Sequence, residues 1–159
     1  MLVPAAPDGA PLQIIDVRDL ADWMLELVER GNGGSLNALG PAGGAAIGWP
    51  ELIAACPRGA REIGCEPAQP VAVSEALLVQ QGVAPWRELP LWLPASDPEF
   101  AGFMAVSVEC AVALGLRTRP LADIVRGVLA ESLPEPGDAR LVGKLTRERE
   151  AELIAPSSF

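Results

Sequence analysis

The chain contains no histidine and no tyrosine, and its one lysine is Lys144. Histidine is the side chain that titrates near neutral pH, so the commonest general acid/base is missing. Ser35, Ser74, Ser96 and Ser107 therefore have no imidazole to activate them, which excludes a Ser-His-Asp hydrolase. Cysteine is scarce as well. Cys56, Cys65 and Cys110 are odd in number, lack CxxC spacing and have no histidine to complete a zinc set, so no metal site is expected. They read as small buried hydrophobes in a reducing cytoplasm. Positive charge is also short. A formal charge of −9 repels phosphates and removes the usual driving force for nucleic-acid binding. Long apolar runs are absent too: the stretch Phe100–Leu116 falls short of the ~20 residues of a membrane span and is broken by Ser107, Glu109 and glycines. No basic segment precedes an apolar one at the N-terminus, so neither a secretory signal nor a membrane partner is expected.

Half of the 159 residues are apolar, enough for one ordinary core. Met1 to Pro11, rich in proline, alanine and glycine, reads as an irregular lead-in, followed by a strand over Leu12–Ile15. Asp16 should cap a helix over Val17–Arg30, with Val17, Leu20, Met24, Leu27 and Val28 on its apolar face and Gly31 as its stop. Ser35–Leu39 reads as a strand, Gly40–Gly48 as a flexible loop, and Pro50 as the opening of a helix that Pro57 ends early. A strand at Pro70–Val73 leads into a helix Glu75–Gln81 capped by Ser74. Pro85, Pro90, Pro94 and Pro98 make Val83–Phe100 an ordered loop. A strand at Phe103–Val106, a helix from Ser107 to Gly115 and a helix opened by Pro120 follow, the last with an apolar stripe of Leu121, Ile124, Val125, Val128 and Leu129. Alternating short strands and about five helices give an α/β class with few strands, too few to close a covered sheet. Residues 1–132 form the α/β body, 133–145 a Pro/Gly linker, and 146–159 a terminal helix capped by Thr146 and its tail.

Three groups invite chemistry. Gly40, Gly43 and Ala46 have the GxxGxxA spacing of a phosphate-binding turn, but Pro41 removes one N–H donor and no acidic residue stands firmly at the ribose position. A plain turn is the expectation, with no cofactor-binding residue assigned. Trp86, Arg87 and Trp92 lie on the proline-stiffened loop, where two aromatics can line a pocket and a guanidinium can pair with an anion; they are the substrate-binding candidates. The bland alternative is that both tryptophans pin the loop to the core. Arg117 and Arg119 read as solvated cations, and Arg147 to Glu152 as a charged exposed helix without a catalytic role.

The runs LQIIDVRDLADWMLELVERG, SLNALGP, WPELIAAC, EALLVQQGVAPWRELPLWLP, FMAVSVECAVALGLRTRPLADIVRGVL and LTREREAEL occur here in that order. Together they resemble the C-terminal half of extended short-chain dehydrogenases/reductases, the NAD-dependent epimerase/dehydratase group, over roughly Val3 to Leu153. Ser107, Leu36 and Pro57 depart from the pattern of that group. The resemblance implies the substrate-side portion of that fold. The glycine-rich NAD(P) loop and the YxxxK pair belong to an N-terminal Rossmann half that this sequence does not contain, so no catalytic residue is assigned. Its small-molecule substrate would be met only when that half is supplied. The alternative expectation is a non-catalytic interaction module that forms a homodimer or binds a protein partner through an exposed apolar face.

Overall fold

A computed structural model describes residues 1–5, 10–44, 46–131 and 145–155. These hold four short strands, β1 (Leu2–Ala5), β2 (Pro11–Leu12), β3 (Ile47–Gly48) and β4 (Val71–Ser74). Six helices accompany them: α1 (Val17–Glu29), α2 (Trp49–Glu62), α3 (Glu75–Gln80), α4 (Glu109–Ala113), α5 (Leu121–Glu131) and α6 (Arg147–Ile154). The class is mixed α/β. β1 and β4 pair in parallel and β2 and β3 antiparallel, as two separate two-stranded sheets.

Within Met1–Pro11, where composition suggested an irregular lead-in, Leu2–Ala5 form a strand, and residues 6–9 lie outside the described residues. Leu2 and Val3 are buried, and burial of that kind outweighs a local proline. Val71 donates to the Met1 carbonyl, so the ladder runs through the odd-numbered residues of β1, and Leu2 and Pro4 turn their amide positions outward. Pro4 has no N–H to waste there, and the Leu2 N–H donates to the Glu150 carboxylate of α6. The outer edge of β1 is thereby closed to a further strand.

One core gathers Leu2, Val73, Leu78, Val83, Trp92 and Leu153. Leu153 brings α6 into this body. The 133–144 part of the expected linker lies outside the described residues. A second core holds Trp23, Ala42, Ala111 and Leu116.

α1 starts at Asp16 as expected but is rotated from its expected orientation. Trp23 is the residue it buries, with its indole N–H donating to the Leu114 carbonyl at 3.2 Å, and only Leu20 and Leu27 of the anticipated stripe pack beside it. Val17, Met24 and Val28 are exposed, as is Leu25, with Val28 at 77%. The largest side chain of the helix and two carboxylates that face Arg119 set this rotation.

Pro57 does not end α2, which runs through it to Glu62. A mid-helix proline costs ~3 kcal/mol in isolation. Packing against α5 offsets that cost: Gly59 is buried, and a methyl in place of its hydrogen would come within 2.9 Å of Val125 and 3.2 Å of Leu129. On α5 itself Ile124 and Val125 are buried, whereas Val128 is exposed.

Neither Ser35–Leu39 nor Phe103–Val106 forms a strand. A side chain takes the ladder's place at the second. The Gln13 amide donates to the Val106 carbonyl at 2.8 Å and accepts its N–H at 2.9 Å, which satisfies both backbone groups without a strand. Leu36 and Ala38 pack on the second core, while Asn37 donates from its side chain to the Ser107 carbonyl. The expected strand Leu12–Ile15 is reduced to the two residues of β2. Ser107 accepts the Glu109 N–H at 3.4 Å, and α4 is a short turn of five residues.

Candidate functional site

Residues 84–92 form a compact loop closed by its own hydrogen bonds. Trp86 donates to the Trp92 carbonyl at 3.0 Å, Glu88 to the Ala84 carbonyl at 3.0 Å, and the Glu88 carboxylate takes the Ala84 N–H at 2.7 Å. Two bulky residues sit at positive φ, Trp86 at 61° and Leu91 at 66°. Each such position costs of order 1–3 kcal/mol and persists only where the surroundings enforce it. Here the enforced backbone turns Trp92 inward and Trp86 outward. Trp92 is 2% exposed and belongs to the first core, whereas Trp86 is 46% exposed and meets Phe103 edge-on at 5.5 Å between ring centroids. Arg87 is exposed beside Trp86. Of the three substrate-binding candidates, Trp86 and Arg87 are thus both exposed and Trp92 anchors the loop from within.

Immediately after Trp92 the chain lines an apolar cleft of about 280 Å³. Its walls are Leu12, Trp49, Leu91, Leu93, Phe100 and Met104. The cleft-lining role of these residues was not read from the sequence.

Two polar clamps hold the walls. The Gln13 amide described above fixes the segment that carries Met104. The Glu75 carboxylate accepts the Ala95 N–H at 2.7 Å and the Ser96 N–H at 2.9 Å, securing Pro94 and Ala95 over the cleft. Burial alone would raise the Glu75 pKa, but the hydrogen bonds from Ser96 and Ala95 outweigh it and leave the group below its ordinary value. A depressed carboxylate stabilises the fold above its unfolded pKa and loses that contribution as pH falls through the folded value. Glu75→Gln should therefore remove one acid-sensitive component of stability and speed amide exchange at Ala95 and Ser96. Hydrogen exchange read residue by residue checks this, and unchanged rates at those two amides would sink it.

The glycine loop does not fit a dinucleotide. The Ala42 N–H donates to Thr118 Oγ1 at 3.0 Å, Pro41 has none, and Gly40 is wedged under the Ile14 carbonyl. At the start of α2, where a phosphate would sit, the Glu51 carboxylate already takes the Gly48 N–H at 2.9 Å. The loop is anchored at Ala42, and its last two residues, Ile47 and Gly48, form β3.

A charged cluster joins α1 to the segment before α5. Asp16, 7% exposed, accepts the Arg18 N–H at 2.9 Å and two guanidinium bonds from Arg18 at 2.8 and 2.6 Å. Arg119 pairs with Asp19 at 2.7 Å and approaches Asp16 at 3.8 Å. The bonds from Arg18, aided by Arg119, overcome burial and hold the Asp16 carboxyl far below the usual carboxylate range. For Asp19, burial would raise the pKa, but the bonds from Arg119 bring it below its ordinary value. Arg119 is consequently paired and not the solvated cation expected. Arg117 donates to the Leu116 and Val112 carbonyls. Mutually neutralised groups of this kind tie elements together and leave no acid or base for catalysis.

The buried-thiol expectation is corrected at Cys110, which is exposed because the first turn of α4 directs Ala111 inward; Cys56 and Cys65 are half-buried. Burial pushes the Cys56 thiol up. Among the described residues no group of three or more histidines, cysteines or carboxylates is placed to hold a metal ion. No described helix is long and apolar enough to cross a membrane. No protein-family model matches the chain, and no curated protein or solved structure is significantly similar to it.

Proposed function

We propose that this chain is the substrate-side portion of an NAD(P)-dependent oxidoreductase of the epimerase/dehydratase kind. Its cofactor site and its catalytic acid and base would be supplied by a separate Rossmann half. The observation that carries the reading is the bare apolar stripe of α1. Val17, Ala21, Met24 and Val28 lie on one helical line, all exposed, with Leu25 beside it. At its first turn the stripe meets exposed Val128 of α5 across a groove that both valines line. A surface of this kind is expected where another folded unit packs. The misfit of the glycine loop to a dinucleotide supports the same division of labour, in which this chain binds and orients a substrate and another carries the cofactor.

Self-association through the stripe is the second reading, since the same bare surface would serve it. Exposed Asp22 and Glu29 stand on the free side of the stripe, while Glu26 pairs with Arg30, so two copies would bring like charges together. A homodimer would then strengthen as salt screens that repulsion.

Two measurements test the leading reading. Calorimetry of the full chain with NADH and NADPH should show no saturable heat. A fusion behind the Rossmann half of an epimerase/dehydratase-type reductase should consume NADPH with carbonyl substrates that the Rossmann half alone leaves untouched. Micromolar cofactor binding by the unfused chain, or a fusion no more active than the Rossmann half alone, would overturn it.

A further inference from the structure

Three observations converge beside the proline-stiffened loop. The first is the apolar cleft, whose volume of about 280 Å³ is near the lower end of ordinary small-molecule sites, roughly 300–1,000 Å³. A dry cavity of about 150 Å³ already admits one benzene, so this space suits a molecule of one or two rings. The second is an exposed aromatic pair adjoining it in the chain: Phe103, 53% exposed, stands between Gly102 and Met104, which both line the cleft, and Trp86 lies edge-on against Phe103. The third is backbone strain. The two non-glycine residues held at positive φ among the described residues are Leu91 of the wall and Trp86 of the adjoining pair, so one strained position lies in the cleft and the other in the same loop.

Charge narrows the class of ligand. Among the described residues, Asp97 is the one ionisable side chain that lines the cleft, and one of its oxygens is occupied by the Glu99 N–H at 2.9 Å. No cation among the described residues lines the space, and a chain of net charge −9 adds a repulsive background for anions. Burying an anion there would leave it unpaired, at a cost that an apolar contact does not recover.

We infer that this cleft, with the Trp86–Phe103 pair adjoining it, binds an uncharged ring-bearing small molecule and rejects its anionic counterpart. The inference rests on the substrate-side reading above, for which it names a substrate class: neutral, predominantly apolar compounds.

The test uses the full chain and three probes of one shape: 1-naphthalenemethanol, 1-naphthoate and 1-naphthylmethylammonium, titrated by calorimetry and by tryptophan fluorescence. The neutral probe should bind saturably, and the carboxylate at least about tenfold more weakly. Ala105→Trp, at an exposed position that lines the cleft, should fill it and abolish binding without touching the core. Trp86→Ala should weaken binding several-fold, while Val28→Asp on the distant face of α1 should leave it unchanged. Equal or tighter binding of the carboxylate, absence of saturable binding by the neutral probe, or binding that survives Ala105→Trp would overturn the inference. The outcomes are separable from those above. Neutral-probe binding accompanied by NADPH binding would remove the division of labour and leave the cleft standing, whereas silence toward both would remove the cleft alone.

Discussion

Trp92→Ala should lower the unfolding free energy by about 3–5 kcal/mol, the range for a large aromatic deleted from a packed core. Trp92 meets the conditions for that range: it is 2% exposed and packed among Leu2, Val73, Leu78, Val83 and Leu153. Its carbonyl also accepts the Trp86 N–H, so collapse of the site would disturb the loop that presents the outer tryptophan. Total stabilities of domains run about 5–15 kcal/mol, and a loss of this size places the variant near the edge of folding. Trp86→Ala, six residues away on the same loop, should cost only about 0.5–1.5 kcal/mol, the range for a lost aromatic pair, because its ring is half exposed and meets only Phe103 edge-on. Urea unfolding of both variants gives the comparison. Equal losses would mean that the loop does not sort its two tryptophans into core and surface.

Asp16→Ala should cost on the order of 2–3 kcal/mol at neutral pH. About 1 kcal/mol is the lost cap of α1. The rest comes from the pairing of a buried carboxylate with Arg18 and Arg119, reduced by solvent screening because the Arg18 side chain is 49% exposed. The pH dependence follows from the direction of the shift. The folded pKa of Asp16 lies below its unfolded value, so its contribution is complete above the unfolded value, near 3.9, and is lost as pH falls toward the folded one. Between about pH 5 and pH 3 the parent chain should therefore lose stability more steeply than Asp16→Asn, which keeps a cap acceptor but has no charge to titrate. Parallel curves for the two proteins over that interval would contradict the pairing described here.

The elements that sequence reading located are those with a local cause. Asp16, Ser74 and Thr146 cap α1, α3 and α6 as their side-chain chemistry requires, each accepting a backbone N–H of the first turn. Pro120 likewise stands just before α5. The misreadings have remote causes. β1 exists because Val71, about seventy residues later, lies alongside it, and nothing within Met1–Pro11 announces that partner. α2 passes through Pro57 because α5 rewards the packing, and Phe103–Val106 is no strand because Gln13 satisfies its backbone. The rotation of α1 follows the same rule: periodicity marks apolar positions but does not say which of two adjacent stripes a distant Arg119 and Leu114 will draw inward.

For the candidate site, residue type was legible and direction was not. The aromatic, proline-rich run around Trp86 marked a loop of rigid shape. Which tryptophan faces solvent depends on two residues held at positive φ, a backbone state that neither Trp nor Leu favours and that their identities therefore do not signal. The cleft draws its walls from β2, the start of α2 and residues 91–105, which only the folded chain brings together.

The fastening of β1 bears on the order in which the molecule can be made. Its inner side waits for β4, and its outer side is met by Glu150 while Leu153 closes the core beneath Leu2. β1 thus precedes both of its partners in the chain, and its pairing waits for them. Until α6 has emerged, Leu2 and Val3 remain uncovered apolar groups on a nascent chain, available to a holding chaperone or to a protease.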